Sequence, residues 1–230
     1  INLRKGTARF NLNQENKEPL WFFTKLKTKG TFNNTFDKAD LIVRILHLSS
    51  ESFILEKQTF QLVLKDQKLE VVKIQDKAPV DLLLTYDFPD KEFSLDFETE
   101  NWQPSQMITL TGPLYAYIPW LNSSLTSRGT ISYNIEENAL DYNLSSEIFL
   151  DHPMLPPDIR ISTDLYGDRE MAFFKPLVVH SNLGIIDFTG NILFKNFFPE
   201  GFVRLANVKA MQDKRISATF TLDSYDESLS

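Results

Sequence analysis

Three features of the chain predict an all-β fold. Apolar and polar residues alternate with period two over short segments, most of those segments are joined by tight turns, and no stretch holds a helical period over the ~11 residues of an ordinary helix. The composition agrees, because 19 Phe, 7 Tyr and 3 Trp stand against only 8 Gly, a balance that favours strands over a loop-rich scaffold. With 230 residues, 42% of them hydrophobic, the chain suffices for one large domain or two small ones.

The clearest segment runs from Val80 to Phe97. A two-residue turn at Pro89-Asp90 sets Tyr86 opposite Phe93, Leu84 opposite Leu95 and Leu82 opposite Phe97, all apolar. The same register sets Thr85 opposite Ser94, Asp87 opposite Glu92 and Asp81 opposite Glu98, giving one greasy and one polar, acidic face. That is the signature of an antiparallel sheet with one wet side.

The other elements repeat this logic. Gly6, Ala8, Phe10 and Leu12 alternate before a polar turn from Asn13 to Lys17, and LWFFTKLKTKG follows as a second strand. Leu41, Val43 and Ile45 share one face of the next strand, Ile42, Arg44 and Leu46 the other. Phe60, Leu62 and Leu64 turn at Asp66-Gln67 and return through Leu69 and Val71, which pairs Leu64 with Leu69 and Leu62 with Val71. Trp102-Gln103-Pro104 punctuates the chain, Ile108 and Leu110 follow, and LYAYIPWL reads as a plug or cap that Pro119 bars from regular continuation. Ile131, Tyr133 and Ile135 turn at Glu137-Asn138 and return through Leu140, Tyr142 and Leu144, pairing Ile135 with Leu140, Tyr133 with Tyr142 and Ile131 with Leu144. The proline-rich HPMLPP, from His152 to Pro157, marks the one candidate boundary in an otherwise single domain spanning 1–230. Beyond it come strands bearing Ile159, Ile161, Thr163 and Leu165; Met171 and Phe173; Leu177 and Val179; Ile186 and Phe188; Ile192 and Phe194; Phe202; and Ile216, Ala218, Phe220 and Leu222. The residues from Ser224 onward form a frayed tail.

A formal charge of −7 and a pI near 5.1 argue against a nucleic-acid partner, which needs a concentrated basic surface. Lys25, Lys27 and Lys29 line one side of a strand and read as a solvated face. The chain has no cysteine, hence no disulfide, thiol nucleophile or thiolate metal site, and this leaves the compartment open. No signal peptide opens the sequence and no apolar run approaches the ~18 residues of a membrane span; starting in mid-pattern, the chain reads as a fragment of something longer. His47, His152 and His180 sit in unrelated contexts without a second ligand at metal spacing, so no metal or other cofactor is expected. Asp96, Glu98 and Glu100 with Asp87 and Glu92 form a flat acidic face, where a calcium site would need ligands converging around a turn. No nucleophile elbow, phosphate loop or dinucleotide fingerprint is present, and nothing points to paired glycosidase carboxylates, so no enzyme activity is expected. The glycosylation triplets at Asn33, Asn122 and Asn143 are chance matches in an Asn- and Ser-rich chain.

What remains is the apolar face. On pattern alone it fits the core of a β-sandwich. Left open instead, it would be lined by Leu62, Leu64, Leu69, Val71, Leu82, Leu84, Tyr86, Phe93, Leu95, Phe97, Ile131, Tyr133, Ile135, Leu140, Tyr142 and Leu144.

The run LVVHSNLGIIDFTGNILFKNFFPEGFVRLANVKA, Leu177 to Ala210, resembles the repeating part of the AsmA-like (TamB) family, in which a glycine precedes a short amphipathic strand, as in Asp187-Phe188-Thr189-Gly190-Asn191-Ile192. GTISYNIEENALDYNLSS and VDLLLTYDFPDKEFSLDFETENWQP look similar to hairpins of the same family. The resemblance implies an elongated, largely antiparallel curled sheet, a β-taco or open roll with an apolar inner groove. It also implies a periplasmic segment of a bridge protein of diderm bacteria that carries phospholipid between the two membranes. The parent chain would be anchored in the inner membrane, with a TamA/BamA-like partner in the outer one. Two other functions compete: a scaffold that assembles outer-membrane proteins by β-augmentation, and a carbohydrate-binding β-sandwich.

Overall fold

The computed structural model describes residues 2–10, 21–33, 35, 37–49, 52–74, 79–209 and 214–223. The polar turn from Asn13 to Lys17 and the tail from Ser224 lie outside them. The strands are β1 (Asn2–Phe10), β2 (Trp21–Phe32), β3 (Ala39–Ser49), β4 (Phe53–Lys65), β5 (Lys68–Lys73), β6 (Val80–Asp87), β7 (Glu92–Trp102), β8 (Ile108–Leu110), β9 (Ser124–Asn134), β10 (Ala139–Leu150), β11 (Ile159–Gly167), β12 (Met171–Ser181), β13 (Gly184–Leu193), β14 (Phe198–Lys209) and β15 (Arg215–Leu222). They form one 15-stranded antiparallel sheet, open at β1 and β15, in which chain order is spatial order except that β8 folds back onto β4 and β7 pairs directly with β9. At about 4.8 Å per strand, the path spans on the order of 60 Å.

The all-β expectation holds, and the sandwich alternative does not, because there is one layer instead of two. Beyond ladder neighbours, the well-populated packing among the described residues is that of β8 and the two 3-10 helices, Pro104–Gln106 and Gly112–Asn122, with one another. The chain exposes 16090 Å², where a compact protein of its mass would expose roughly 10,700 Å². Among the described residues no large side chain is fully buried, and the buried apolar residues are Ala172 and Phe188. A single open layer, consistent with the expected curled sheet, leaves most side chains half-covered.

Two hairpins keep the predicted register. Leu64 pairs with Leu69 and Leu62 with Val71, while Tyr86 pairs with Phe93, Leu84 with Leu95 and Leu82 with Phe97. The first closes on Asp66 and Gln67, both in the left-handed region at φ 52° and 60°, as a type I′ turn requires. Since a side chain there costs about 1 kcal/mol relative to glycine, Gln67→Gly is expected to raise the urea midpoint. An unchanged or lower midpoint would mean that the Gln67 side chain supplies contacts outweighing the backbone strain.

The third hairpin departs from expectation. Ile135 to Asn138 form a four-residue turn, so Tyr133 pairs with Leu140, Ile131 with Tyr142 and Gly129 with Leu144. The cause is Asn134, whose Oδ1 accepts from the backbone N–H of Glu136 (2.9 Å) and Glu137 (3.0 Å), an Asx arrangement that starts the turn two residues early. The slip is even-numbered, so each strand keeps its face. Ile135 leaves the ladder and is 50% exposed.

Successive turns at this end are tied together. Phe88 N–H donates to Gln67 O (3.0 Å), Ile135 N–H to Lys91 O (3.0 Å) and Phe194 N–H to Glu170 O (2.8 Å); Arg169 donates to Asn138 O (3.0 Å). LYAYIPWL falls within the 3-10 helix Gly112–Asn122 and leaves Tyr115, Tyr117 and Trp120 exposed. The His152–Pro157 stretch is a loop whose flanking strands pair directly, from Leu150–Ile159 to Tyr142–Gly167.

Prolines inside strands sit where a missing N–H does least harm. Pro176 lies in the bulge between Phe174 and Leu177, and Pro199 lies beyond the reach of β15, whose ladder ends at Gly201–Leu222. The first bulge also corrects the β12 reading. Ala172, Phe174 and Leu177 share the apolar face by pairing with Gly167, Leu165 and Thr163, while Phe173 stacks on Tyr166 at 5.0 Å on the other side.

Candidate functional site

The register gathers every predicted lining residue except Ile135 onto one face, in three rows running along the sheet. Nearest the tied turns are Leu64, Leu69, Tyr86, Phe93, Tyr133 and Leu140. The second row is Leu62, Val71, Leu84, Leu95, Ile131 and Tyr142. The third holds Leu82, Phe97 and Leu144, with Gly129 between the last two. All of these side chains are half-buried, neither sealed nor free.

Glycine in the third row is a matter of space. A Cβ on Gly129 would meet the Phe97 ring at 3.1 Å and Asn143 O at 2.7 Å, so the Phe97 ring lies over bare backbone. Tyr142 lies similarly over Gly167, where a Cβ would come within 2.5 Å of its hydroxyl. That hydroxyl donates to Met171 O at 3.1 Å, and burial, with the Asp168 charge second, raises the phenol above its ordinary value. It therefore stays a neutral donor at physiological pH.

The same rows extend over residues that the sequence reading did not include. Leu41 and Val43 join from β3, and the third row continues through Leu165 and Phe174. A further apolar row runs Trp102, Leu125, Ile148, Ile161, Val179, Ile186, Leu205 and Ala218. Trp102 reaches this face because a bulge at Glu100-Asn101, with Asn101 at φ 47°, reverses the parity of β7.

Between this row and the third lies a strip of hydroxyls. Thr99, Ser127, Ser146 and Thr163 are consecutive ladder partners, and the first three are buried. Ser127 N–H donates to Thr99 Oγ1 at 3.0 Å, the Ser127 and Ser146 hydroxyls are 2.6 Å apart, and the Ser127 hydroxyl also reaches Ser145 O at 3.2 Å. Thr163 Oγ1 and Trp102 Nε1 are buried without a hydrogen-bond partner. Past Thr163 the row becomes Leu177, Phe188, Val203 and Phe220. The strip is parallel to the apolar rows and cuts across none of them. Extending each alternation by two residues, from Phe97 to Thr99 or Leu144 to Ser146, is the sequence signal that finds it.

The opposite face is polar. Arg204 pairs with Asp187 at 2.7 Å and Arg160 with Glu147 at 3.2 Å, and the Thr85 and Ser94 hydroxyls meet at 2.5 Å. A cavity of about 720 Å³ is bounded by Asp81, Asp96, Glu98, Asp164 and Arg128 with Val72 and Leu83, and Lys73, Leu82, Phe97 and Gly129 also line it. Among the described residues no three His, Asp or Glu side chains converge to hold a metal ion, and no helix is long and apolar enough to cross a membrane.

Comparison with protein-family models, with curated proteins and with solved structures finds no match to this chain.

Proposed function

We propose that the apolar face is a trough that shields phospholipid acyl chains, as a periplasmic segment of an AsmA-like (TamB) bridge protein between the inner and outer membranes of a diderm bacterium. One observation carries the reading: apolar rows run continuously across at least β4 to β10 and, among the described residues, no second layer covers them. An uncovered face of that extent exceeds what a lone soluble protein leaves to water. Burying an acyl chain of about fourteen methylenes is worth roughly 11 kcal/mol over water, and a bilayer offers nearly the same. Exchange between membrane and trough is then close to balance, so a lipid moves along it without a catalytic group. The resemblance in Leu177 to Ala210 supports the family assignment, and with it an inner-membrane anchor and a TamA/BamA-like partner for the parent chain.

Native mass spectrometry of the chain purified from bacterial cells and freed of detergent tests this reading. Phospholipid is expected to co-purify in the folded protein. A compact, lipid-free protein would refute it.

The β15 edge favours a second reading. Among the described residues no strand pairs with its far side, and Ile216 and Phe220 are exposed on it, so a client strand would extend the sheet there through its backbone. Proline at Thr219 is expected to abolish such pairing if its N–H points outward, and to leave lipid content unchanged.

A further inference from the structure

We infer that Lys73 is an anionic headgroup site within the trough, holding the phosphate of a bound phospholipid; this rests on the trough reading above. Lys73 ends β5 two residues after Val71 on the same face, opposite Phe60. It is only 5% exposed, and its Nζ has no hydrogen-bond partner among the described residues. A buried ammonium left unpaired is strongly unfavourable. By register, the described carboxylates on β5 to β11 project from the opposite face, and none of them is hydrogen-bonded to Nζ. Among the described residues nothing is hydrogen-bonded to it, and an acidic oxygen is what a lone ammonium selects.

Its surroundings say what kind of anion. Gln58, also buried, lies on the same face two residues from Phe60, and the hydroxyl strip begins at Thr99. The apolar row of Leu62, Val71 and Leu84 passes beside Lys73, which itself stands in the third row next to Phe60. A free inorganic phosphate would use the ammonium and leave those rows bare, whereas a phospholipid fills both. Its phosphate sits on Nζ, its chains lie along the second and third rows, and the strip beside them accommodates ester oxygens.

The test loads the whole purified chain with an equimolar mixture of phosphatidylglycerol and diacylglycerol of the same acyl chains, and reads the bound ratio by native mass spectrometry. Wild type is expected to favour the phospholipid by at least about tenfold, the scale of one charge-assisted hydrogen bond. Lys73→Met is expected to lose that preference while binding as much total lipid, and Lys73→Arg to keep it. Lipid-free Lys73→Met should also melt at least about 2–4 °C higher, because an unsatisfied charge has been removed. An unchanged ratio in Lys73→Met would overturn the headgroup site while leaving the trough intact. If neither protein takes up any lipid, the trough reading fails and this site with it. Inorganic phosphate raising the wild-type melting temperature as much as phosphatidylglycerol does would assign Lys73 to a free anion and likewise overturn the proposal.

Discussion

Leu84→Arg is expected to leave a folded β-protein that has lost its lipid. Leu84 sits in the second row between Val71 and Leu95 and is half-exposed, so its replacement forfeits part of a leucine's burial, about 1–2 kcal/mol, or a few degrees of melting temperature in a chain of this length. The long side chain can carry its charge outward to water while the site is empty. With lipid present, an acyl chain crossing that position must strip water from the guanidinium, at a cost of several kcal/mol. Bound phospholipid should fall below about one-tenth of the wild-type amount. Thr130→Arg is the control, since Thr130 is exposed on the polar face beside the same rows; it should bind lipid as the wild type does. A Leu84→Arg protein that unfolds outright would mean that the apolar face is sealed by something the ladder does not show. One that stays folded and fully loaded would place the lipid elsewhere.

How much of this was legible beforehand depended on whether the deciding interaction is local. The hairpins at Asp66-Gln67 and Pro89-Asp90 were readable because alternation decides there, and their registers came out as predicted, although the second turn spans Phe88 to Lys91 where two residues were expected. The hairpin at Ile135 to Asn138 was misjudged by two residues because one side chain, Asn134, competes for the first turn hydrogen bonds; alternation cannot see this, since a slip of two preserves faces. Parity changes at bulges were equally invisible. Phe173 was read with Met171 as the apolar pair of its strand, yet the bulge at Lys175-Pro176 gives the apolar face to Phe174 instead. Trp102 looked like punctuation, and a left-handed Asn101 turns it onto the apolar face. The polar residues of the trough were missed for a different reason. Thr99, Ser127, Ser146 and Lys73 occupy apolar-phase positions, and a reading that collects Leu, Ile, Val, Phe and Tyr passes over them although the period points to each.

The most disruptive single substitution expected is Gly190→Val, and its effect should be local. Gly190 faces Gly201 across β13 and β14, and a Cβ on it would lie 2.0 Å from Glu200 O and 2.8 Å from the Gly201 Cα. Both are backbone atoms, so no rotamer relieves the clash and the strands must part. Gly201 cannot adapt easily, since at φ +145° it occupies a conformation that L side chains rarely adopt. A loss of about 3–5 kcal/mol is expected, at the upper end for one residue. In a protein with a shared core, that would lower every amide's protection together. Here each strand touches its ladder neighbours and, among the described residues, no second layer ties distant strands together, so stability is close to a sum of nearest-neighbour terms, as in repeat arrays. Hydrogen exchange should therefore show protection collapsing in β13 to β15, while β5 to β10, with the second and third apolar rows and Lys73, keeps its wild-type protection and its lipid. Uniform loss of protection along the whole sheet would show that the strands are coupled by more than their ladders, and would restore a covered core that the open trough does not permit.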